Sequence, residues 1–203
     1  VDVTVLSDRD FFLYNPSLIW LPFGKRDRDD ITFKVAPTFA AHGVEFIQKA
    51  AAKIEPDLNQ VIDTDGAVHS YDYLVIATGP ELAFDEIPGL GPDGHTQSIC
   101  HVSQAERAAE AFEAFCKNPG PIIVGAVQGA SCFGPAYEFL FILETELRRR
   151  KIRDRVPMTF VTAEPYIGHL GLDGVGDTKG LLESEMRSKH IKWVTSARVK
   201  KVE

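Results

Sequence analysis

The sequence has few of the features that mark secreted, metal-binding or membrane-spanning proteins. It holds three cysteines, Cys100, Cys116 and Cys132, with no CxxC pair and no cysteine and histidine at zinc-binding spacing. An odd number of scattered cysteines is not typical of a secreted protein held by disulfides. Each thiol is therefore either packed in the core or reactive. No apolar run approaches the ~18 residues needed to span a bilayer. No basic stretch followed by an apolar one opens the chain.

Positive charge is also scarce. The formal net charge of −7 argues against nucleic acid as a partner. The one basic cluster, from Arg148 to Arg155, follows a helical pattern and is typical of a solvated helix C-terminus, where cations suit the macrodipole. The remaining composition, 44% hydrophobic and 25% charged over 203 residues, is that of an ordinary globular protein.

Short apolar runs alternate with helical patterns, which predicts an α/β fold. Alternating runs between residues 52 and 70, separated by Pro56-Asp57 and Asp65-Gly66 turns, indicate a small antiparallel β meander. Beyond it, helical patterns and strands alternate. The predicted helices cover residues 103–116, 135–151 and 178–190, and the predicted strands cover residues 122–127, 158–162 and 191–194.

The segment YDYLVIATGP, residues 71–80, carries the most informative strand. Leu74–Ala77 is continuously apolar, as a strand buried on both faces should be. It ends at Ala77-Thr78-Gly79, where glycine lets the backbone approach a ligand closely. With the meander before it, this segment resembles the flavoproteins that have two dinucleotide-binding domains, and Ala77, Thr78 and Gly79 become candidate cofactor contacts. Ser7 and Asp8 end the first strand, where such folds contact the adenosine ribose.

Two similar stretches of sequence indicate that a Rossmann-like module occurs twice in the chain. HGVEFI (42–47) and HIKWV (190–194) each follow a helix and precede a crossover segment, but the second copy stops before any return strand. The first strand, likewise, has no GxGxxG before it. We therefore predict two Rossmann-like modules, each incomplete, and expect the chain to be a fragment. Residues 1–96 are predicted to be part of an FAD-binding domain, and residues 97–203 part of a second, NAD-like domain.

The turn GAVQGASCFGPAYE (125–138) joins a predicted strand to a predicted helix. Its glycines do not have GxGxxG spacing, and Cys132 stands in the turn instead. The N-terminal end of a helix favours the thiolate, which is the form that attacks disulfides and polysulfides. Cys132 is therefore either a redox thiol or a small buried hydrophobe.

The other candidates are weaker when taken alone. Cys100, at the end of QSIC, is more typical of a core residue than of a catalytic one, and Cys116 lies on the apolar face of a helix. His169, in the loop EPYIGHLG, is placed after a strand, where histidine can relay protons. A loop histidine without a role remains an equal alternative. No metal site is predicted.

The motifs QSIC, GASCFGPAYE and EPYIGHLG, together with NPSLIWLPFGKR and YDYLVIATGPELAF, resemble the bacterial sulfide:quinone oxidoreductases over essentially all of the chain. The resemblance implies an enzyme with FAD on the first of two Rossmann-like domains and redox cysteines near the flavin. It implies oxidation of sulfide to polysulfide sulfur, with electrons passing through FAD to a quinone.

The resemblance also assigns roles to residues. It implies that Cys132 is one of two cysteines that hold the sulfur, with its partner beyond Glu203, and that Cys100 lies beside the flavin. His169 matches a histidine near flavin and quinone, Gly79 a backbone contact to FAD, and Pro16 and Ser17 a loop close to the flavin. It further implies a peripheral protein of the bacterial inner membrane, attached through parts absent from this chain, and a homo-oligomer is possible.

Several features depart from that pattern and keep alternatives open. The FAD-anchoring GxGxxG, the third redox cysteine and the membrane-binding C-terminal region are missing, so we expect this fragment on its own to lack activity. Gln104 stands where some members carry a histidine. A type II NADH:quinone oxidoreductase shares the fold but would need GxGxxG after Val124. A flavocytochrome-type sulfide dehydrogenase would need a haem subunit. A non-catalytic flavoprotein-like module is the alternative from a different class.

Overall fold

The computed structural model describes all residues from 1 to 203, and the chain forms two compact units. Unit 1 comprises Val1–Tyr14 and Arg28–Leu82, and unit 2 comprises Asn15–Asp27 and Ala83–Glu203. Helices and small parallel and antiparallel sheets occur in the chain. The predicted α/β fold class is therefore confirmed.

Unit 1 is built from short strands and two short helices. Strand β1 (Thr4–Leu6) pairs in parallel with β4 (Glu45–Ile47), and β2 (Phe11–Leu13) pairs antiparallel with β3 (Thr32–Lys34). Helices α1 (Arg28–Ile31) and α2 (Ala36–Ala41) lie between these strands in the chain. The parallel pair joined through a helix is the beginning of a β-α-β arrangement.

The predicted meander is confirmed as a three-stranded antiparallel sheet. Its strands are β5 (Ala51–Glu55), β6 (Gln60–Asp63) and β7 (Val68–Ser70), with β6 in the centre. The turn after β6 is fixed by the buried Asp63, whose carboxylate accepts hydrogen bonds from the backbone N–H groups of Asp65 and Ala67, each at 2.9 Å. His69 Nε2 lies 3.0 Å from the second carboxylate oxygen.

These contacts predict a pH-dependent stability for the meander. The hydrogen bond from His69 holds the pKa of Asp63 below its ordinary value, and the Ala67 and Asp65 N–H groups act in the same direction against burial. A carboxyl group whose pKa is lower in the folded than in the unfolded protein adds stability at pH values above its unfolded-state pKa. This stability is lost as the pH falls through its folded-state pKa. We expect Asp63→Asn to destabilise the protein at pH 7 and much less at a pH below the depressed folded-state pKa of Asp63, well under about pH 4. Urea unfolding followed by circular dichroism at both pH values measures this. An equal loss at both would contradict it.

The predicted buried strand at Leu74–Ala77 is wrong. Residues 74–77 form no strand, and the side chains of Leu74, Val75 and Ile76 are 38%, 85% and 63% exposed. A central strand of a parallel sheet is held by hydrogen bonds to a strand on each side and is covered by helices. No strand of the chain pairs with this segment, and β1 pairs with β4 alone. The apolar run identifies residues suited to such a strand, but it does not show whether neighbouring strands are present to pair with it.

Unit 2 contains a parallel β-α-β-α-β arrangement. Strands β8 (Ile122–Ala126), β9 (Met158–Thr162) and β10 (Ile191–Val194) form one parallel sheet in the order β10-β9-β8. Helix α4 (Gly134–Arg149) connects β8 to β9, and α5 (Thr178–Ser188) connects β9 to β10. Helix α3 (Val102–Lys117) precedes the sheet. These bounds match the predicted elements to within two residues.

The core of unit 2 lies between the sheet and its helices. On α4 the fully buried leucines follow helical spacing at Leu140, Leu143 and Leu147, while on β9 Met158 and Phe160 are buried on alternate positions. Burying side chains of this size stabilises the fold by about 2 kcal/mol each. This packing fixes α4 against β9, and so it also fixes the turn before α4 and the loop after β9.

The aromatic segment near the N-terminus also belongs to unit 2. Residues Asn15–Phe23 form a 3-10 helix that buries Leu18, Ile19 and Leu21. The Phe23 ring contacts the ring of Phe112 on α3 edge to face, with centroids 5.0 Å apart. The burial of these side chains explains why this proline-containing segment is ordered into a helix.

The basic cluster is exposed at the C-terminal end of α4, as predicted, and several of its side chains also form ion pairs. Arg148 contacts the buried Glu144, and Arg149 lies 3.1 Å from Glu146. Arg150 binds Glu113 of α3, at 2.9 Å for one of its two nitrogen–oxygen pairs. The cluster therefore joins helices within unit 2, in addition to complementing the helix dipole.

Candidate redox site

Cys132 lies in the turn between β8 and α4. Strand β8 ends at Ala126, and α4 begins at Gly134 with Pro135 in its first turn, where the missing proline N–H removes no helix hydrogen bond. The Cys132 thiol is exposed and takes part in no disulfide. The end of a helix that carries unpaired N–H groups is a favourable place for an anion, so the position suits a reactive sulfur.

The start of this turn is fixed by a side chain. The Gln128 amide donates to the carbonyl oxygen of Val199 at 2.8 Å and accepts from its N–H at 3.0 Å. This two-way contact with a backbone 71 residues away holds the turn where β8 leaves the sheet. The residues between Gln128 and α4, including Cys132, are thus anchored at both ends.

His169 lies in the loop that follows β9. Its Nε2 is 3.0 Å from a carboxylate oxygen of Asp173, and its Nδ1 accepts a hydrogen bond from the Gly171 N–H at 3.1 Å. An imidazole that carries its proton on Nε2 satisfies both contacts. The Tyr166 ring packs edge-on against the histidine at 5.2 Å between centroids. The ring is therefore held in one orientation beside an exposed carboxylate, as a proton relay requires.

The fold of this loop depends on Gly168. Its φ is +82°, in the left-handed region, and a Cβ there would come within 2.9 Å of the Thr178 backbone at the start of α5. Only glycine meets both conditions without strain. The Gly168 carbonyl also accepts a hydrogen bond from the Thr178 hydroxyl at 2.9 Å. The residue before His169 is thus fixed to α5.

The structure brings the Cys132 and His169 segments to the same edge of one sheet. β8 and β9 are parallel neighbours, so the segments that follow them leave from the same carboxyl edge. In open α/β sheets this edge is where ligands bind. The two segments lie close together, because a Cβ added to Gly171 would be 3.7 Å from the Phe133 ring.

Sequence reasoning missed two buried polar residues at this edge. Glu164 is 2% exposed, and its carboxylate accepts hydrogen bonds from the hydroxyls of Tyr137 at 2.7 Å and Thr162 at 2.8 Å. Tyr137 lies in the first turn of α4 and is 4% exposed. The only sequence signal was an acidic residue two positions after a buried strand, which by itself does not indicate burial.

Cys100 is exposed just before α3. Its N–H donates to the Ser98 hydroxyl at 3.2 Å, and the next residue, His101, is the N-cap of α3. In the first turn of that helix the side-chain oxygen of Gln104 is buried without a hydrogen-bond partner. A buried amide oxygen left unpaired is costly, so this atom is suited to accept a hydrogen bond from a bound group.

Cys116 differs from the other two cysteines. It is partly buried on α3 and packs against the core of unit 2, as the helical pattern predicts. Burial raises the pKa of the Cys116 thiol, with a smaller opposing effect from Arg150. A thiol kept protonated in this way is a poor nucleophile, which makes Cys116 a natural control for the exposed cysteines.

The other candidate cofactor contacts are on exposed or partly exposed backbone. In unit 1, Ser7 follows β1 and donates its N–H to Ile47 at 3.1 Å, and Asp8 is exposed beside it. Ala77, Thr78 and Gly79 are exposed, and Gly79 has a φ of +77° with no atom within 4 Å of an added Cβ. In unit 2, Pro16 is exposed and Ser17 partly exposed at the start of the 3-10 helix. No group of three potential metal ligands occurs in the chain.

Comparison with known proteins confirms the predicted resemblance. The chain is 42% identical over 201 residues to the sulfide-quinone reductase of Aquifex aeolicus, which is 99% of this chain and 46% of that protein. It is 28% identical over 168 residues to the mitochondrial sulfide:quinone oxidoreductase of Dictyostelium discoideum, 80% of this chain and 36% of that one. The chain thus spans less than half the length of these relatives. No protein-family model matches it.

Solved structures agree with the sequence comparison. The crystal structure of the Aquifex aeolicus sulfide:quinone oxidoreductase superimposes with a TM-score of 0.95 over 100% of this chain and 46% of that one, at 42% identity. A ferredoxin reductase from Rhodopseudomonas palustris superimposes with a TM-score of 0.72 over all of this chain and 46% of that one, at 13% identity. The second likeness shows the fold alone.

Proposed function

We propose that this chain is part of a sulfide:quinone oxidoreductase and carries one of its redox cysteines, Cys132. The observation that carries the proposal is the exposed thiol of Cys132 in the strand-to-helix turn, at the carboxyl edge of the unit 2 sheet. The identity of 42% across nearly the whole chain to a sulfide-quinone reductase supports it. The missing GxGxxG spacing in the same turn disfavours a nicotinamide cofactor at this place.

The sulfur chemistry begins at a disulfide between Cys132 and a second cysteine outside this chain. Hydrosulfide attacks one of the two sulfurs, forms a persulfide on that cysteine, and releases the other cysteine as a thiolate. FAD, when bound, would supply the two-electron acceptor that lets the released thiolate and the persulfide form a new sulfur–sulfur bond, and a quinone would take the electrons from it. The chain's own contribution is to hold Cys132 exposed, and to hold His169 where it can exchange a proton with sulfide or quinone.

The residues present fit a flavin nucleotide. Around Gly79 the backbone has a positive φ and open space where a side chain would stand, which allows close approach of a ligand. We propose that Ser7 and Asp8 contact the ribose, and that Ala77, Thr78 and Gly79 contact FAD through their backbone. Pro16 and Ser17 are proposed to lie near the flavin.

We propose that Cys100 lies beside the isoalloxazine ring. The unpaired oxygen of Gln104, one helical turn further along, fits a hydrogen-bond donor on a bound group. The domain assignment follows from these roles: residues 1–96 belong to an FAD-binding domain, and residues 97–203 to a second Rossmann-like domain.

We also propose that the complete protein binds the bacterial inner membrane peripherally, where its quinone is dissolved, and forms a homo-oligomer. No helix described here combines the length and apolar character required to cross a bilayer. Membrane attachment is proposed to lie in parts of the protein outside this chain.

The proposal is tested by anaerobic quinone reduction with the purified full-length protein. We expect bound FAD, visible as a yellow colour, and reduction of a short-chain quinone that depends on sulfide. NADH in place of sulfide separates this function from a type II NADH:quinone oxidoreductase, and we expect it to give no reduction. Colourless protein that does not bind added FAD would favour a non-catalytic module and contradict the proposal.

A further inference from the structure

Tyr137 and Glu164 form a hydrogen-bonded pair at the carboxyl edge of the unit 2 sheet. Neither residue takes part in the proposed sulfur chemistry. Tyr137 is three residues into α4, five positions after Cys132, and Glu164 lies five positions before His169. Both side chains are buried, at 4% and 2% exposure. The pair therefore joins, through the interior, the two segments that carry the proposed sulfur and proton groups.

The hydrogen bonds of this pair extend directly into the His169 loop. The Tyr137 hydroxyl donates to one oxygen of Glu164 at 2.7 Å and accepts from the Gly168 N–H at 3.0 Å. The other oxygen of Glu164 accepts from the Leu170 N–H at 2.6 Å. The backbone groups on both sides of His169 are thus held by the pair, one by each partner.

We propose that Tyr137 and Glu164 are positioning residues that fix the His169 loop relative to the Cys132 turn. The proposal rests on the proposed function, because it assigns the pair a role in the same reaction. A Cβ added to Gly171 would be 3.7 Å from the Phe133 ring, so the two segments also lie close together next to Cys132. The hydrogen bonds of the pair hold the loop on both sides of the histidine.

The polar nature of the pair is the reason to assign it this role. The Tyr137 ring is stacked against Phe160 at 4.5 Å and would pack there as phenylalanine, so the hydroxyl is not needed to fill the core. Burial, and then the hydrogen bond to Glu164, raise the pKa of the Tyr137 phenol well above its ordinary range, so it stays a hydrogen-bond donor at all physiological pH values. Hydrogen bonds of fixed geometry specify one loop arrangement, whereas apolar contacts alone tolerate several.

Hydrogen exchange tests the structural part of the proposal without activity. In Tyr137→Phe the Gly168 N–H loses its acceptor, and we expect amide exchange in a peptide covering residues 165–172 to become about tenfold faster. Val156→Ala is the matched control, because it removes buried apolar volume two residues before β9 and lies outside both segments. We expect the control to leave exchange in the loop unchanged relative to the rest of unit 2.

Steady-state kinetics test the positioning part. We expect Tyr137→Phe and Glu164→Gln each to lower kcat for sulfide-dependent quinone reduction about tenfold with KM for quinone unchanged, and Val156→Ala to keep wild-type kcat. If the pair acts as one unit, the double variant loses no more than either single variant.

Three results would overturn the proposal, and the first two come from the single variants. One is unchanged loop exchange in Tyr137→Phe, and the other is wild-type kcat in a variant whose loop exchanges faster. Losses that multiply in the double variant would show two independent roles and would also contradict it. Failure of the wild-type protein to oxidise sulfide would instead contradict the proposed function, and the exchange experiment would still decide whether the pair holds the loop.

Discussion

Replacing Cys132 by alanine is expected to lower sulfide-dependent quinone reduction by at least about 1000-fold, because the variant removes the sulfur that carries the bond exchange. Cys132→Ser is expected to lose as much, since a hydroxyl of the same size cannot form a disulfide or a persulfide. Bound FAD is expected to be unchanged in both variants, because no proposed FAD contact is altered. The measurement is kcat with sulfide and a short-chain quinone.

The matched control is Cys116→Ala. Cys116 is partly buried against the core of unit 2, and burial raises the pKa of its thiol, so the protonated sulfur serves packing. We expect this variant to keep its activity and to lose a little stability, about 1 kcal/mol. Wild-type activity in Cys132→Ala would remove Cys132 from the mechanism, and loss of activity in a folded Cys116→Ala protein would contradict the packing role of Cys116.

The second large effect is on stability and concerns Phe160. This residue is fully buried in β9, the central strand of the unit 2 sheet, and stacks on Tyr137. Phe160→Ala is expected to lower the free energy of unfolding of unit 2 by about 4 kcal/mol, from lost burial and the cavity that remains. The two tryptophans, Trp20 and Trp193, both lie in unit 2, so fluorescence during urea unfolding reports on it.

Leu181→Ala is the control for this prediction. Leu181 lies on α5 in the same unit and is 61% exposed, so its truncation is expected to cost about 0.5 kcal/mol or less. Similar losses for the two variants would contradict the assignment of β9 as the centre of the core.

The elements that sequence predicted correctly are those whose signals are local. The meander is fixed by alternation and by turn residues such as Asp65-Gly66, and α4 by helical leucine spacing after Pro135. The turn that carries Cys132 can be predicted because the signals for the end of β8 and for the beginning of α4 are both local. The exposed thiol at the sheet edge was therefore within reach of sequence reasoning.

The features that sequence missed depend on partners distant in the chain. Leu74–Ala77 has the composition of a buried strand, but a parallel strand requires neighbours that no local pattern reveals. The pair of Tyr137 and Glu164 is 27 residues apart, and each residue alone reads as an ordinary surface or core position. The unpaired oxygen of Gln104 likewise appears only when the packing around α3 is known.

The central claim is that Cys132 is one of the two cysteines of the disulfide that takes up sulfide. Its most direct test is peptide mass spectrometry of the full-length protein after one anaerobic turnover with sulfide, trapped by alkylation. The account predicts additional sulfur on the peptide that contains Cys132 or on its disulfide partner, and none on the peptide that contains Cys116. An unmodified Cys132 peptide that forms no disulfide before turnover, in protein that oxidises sulfide at the full rate, would contradict it.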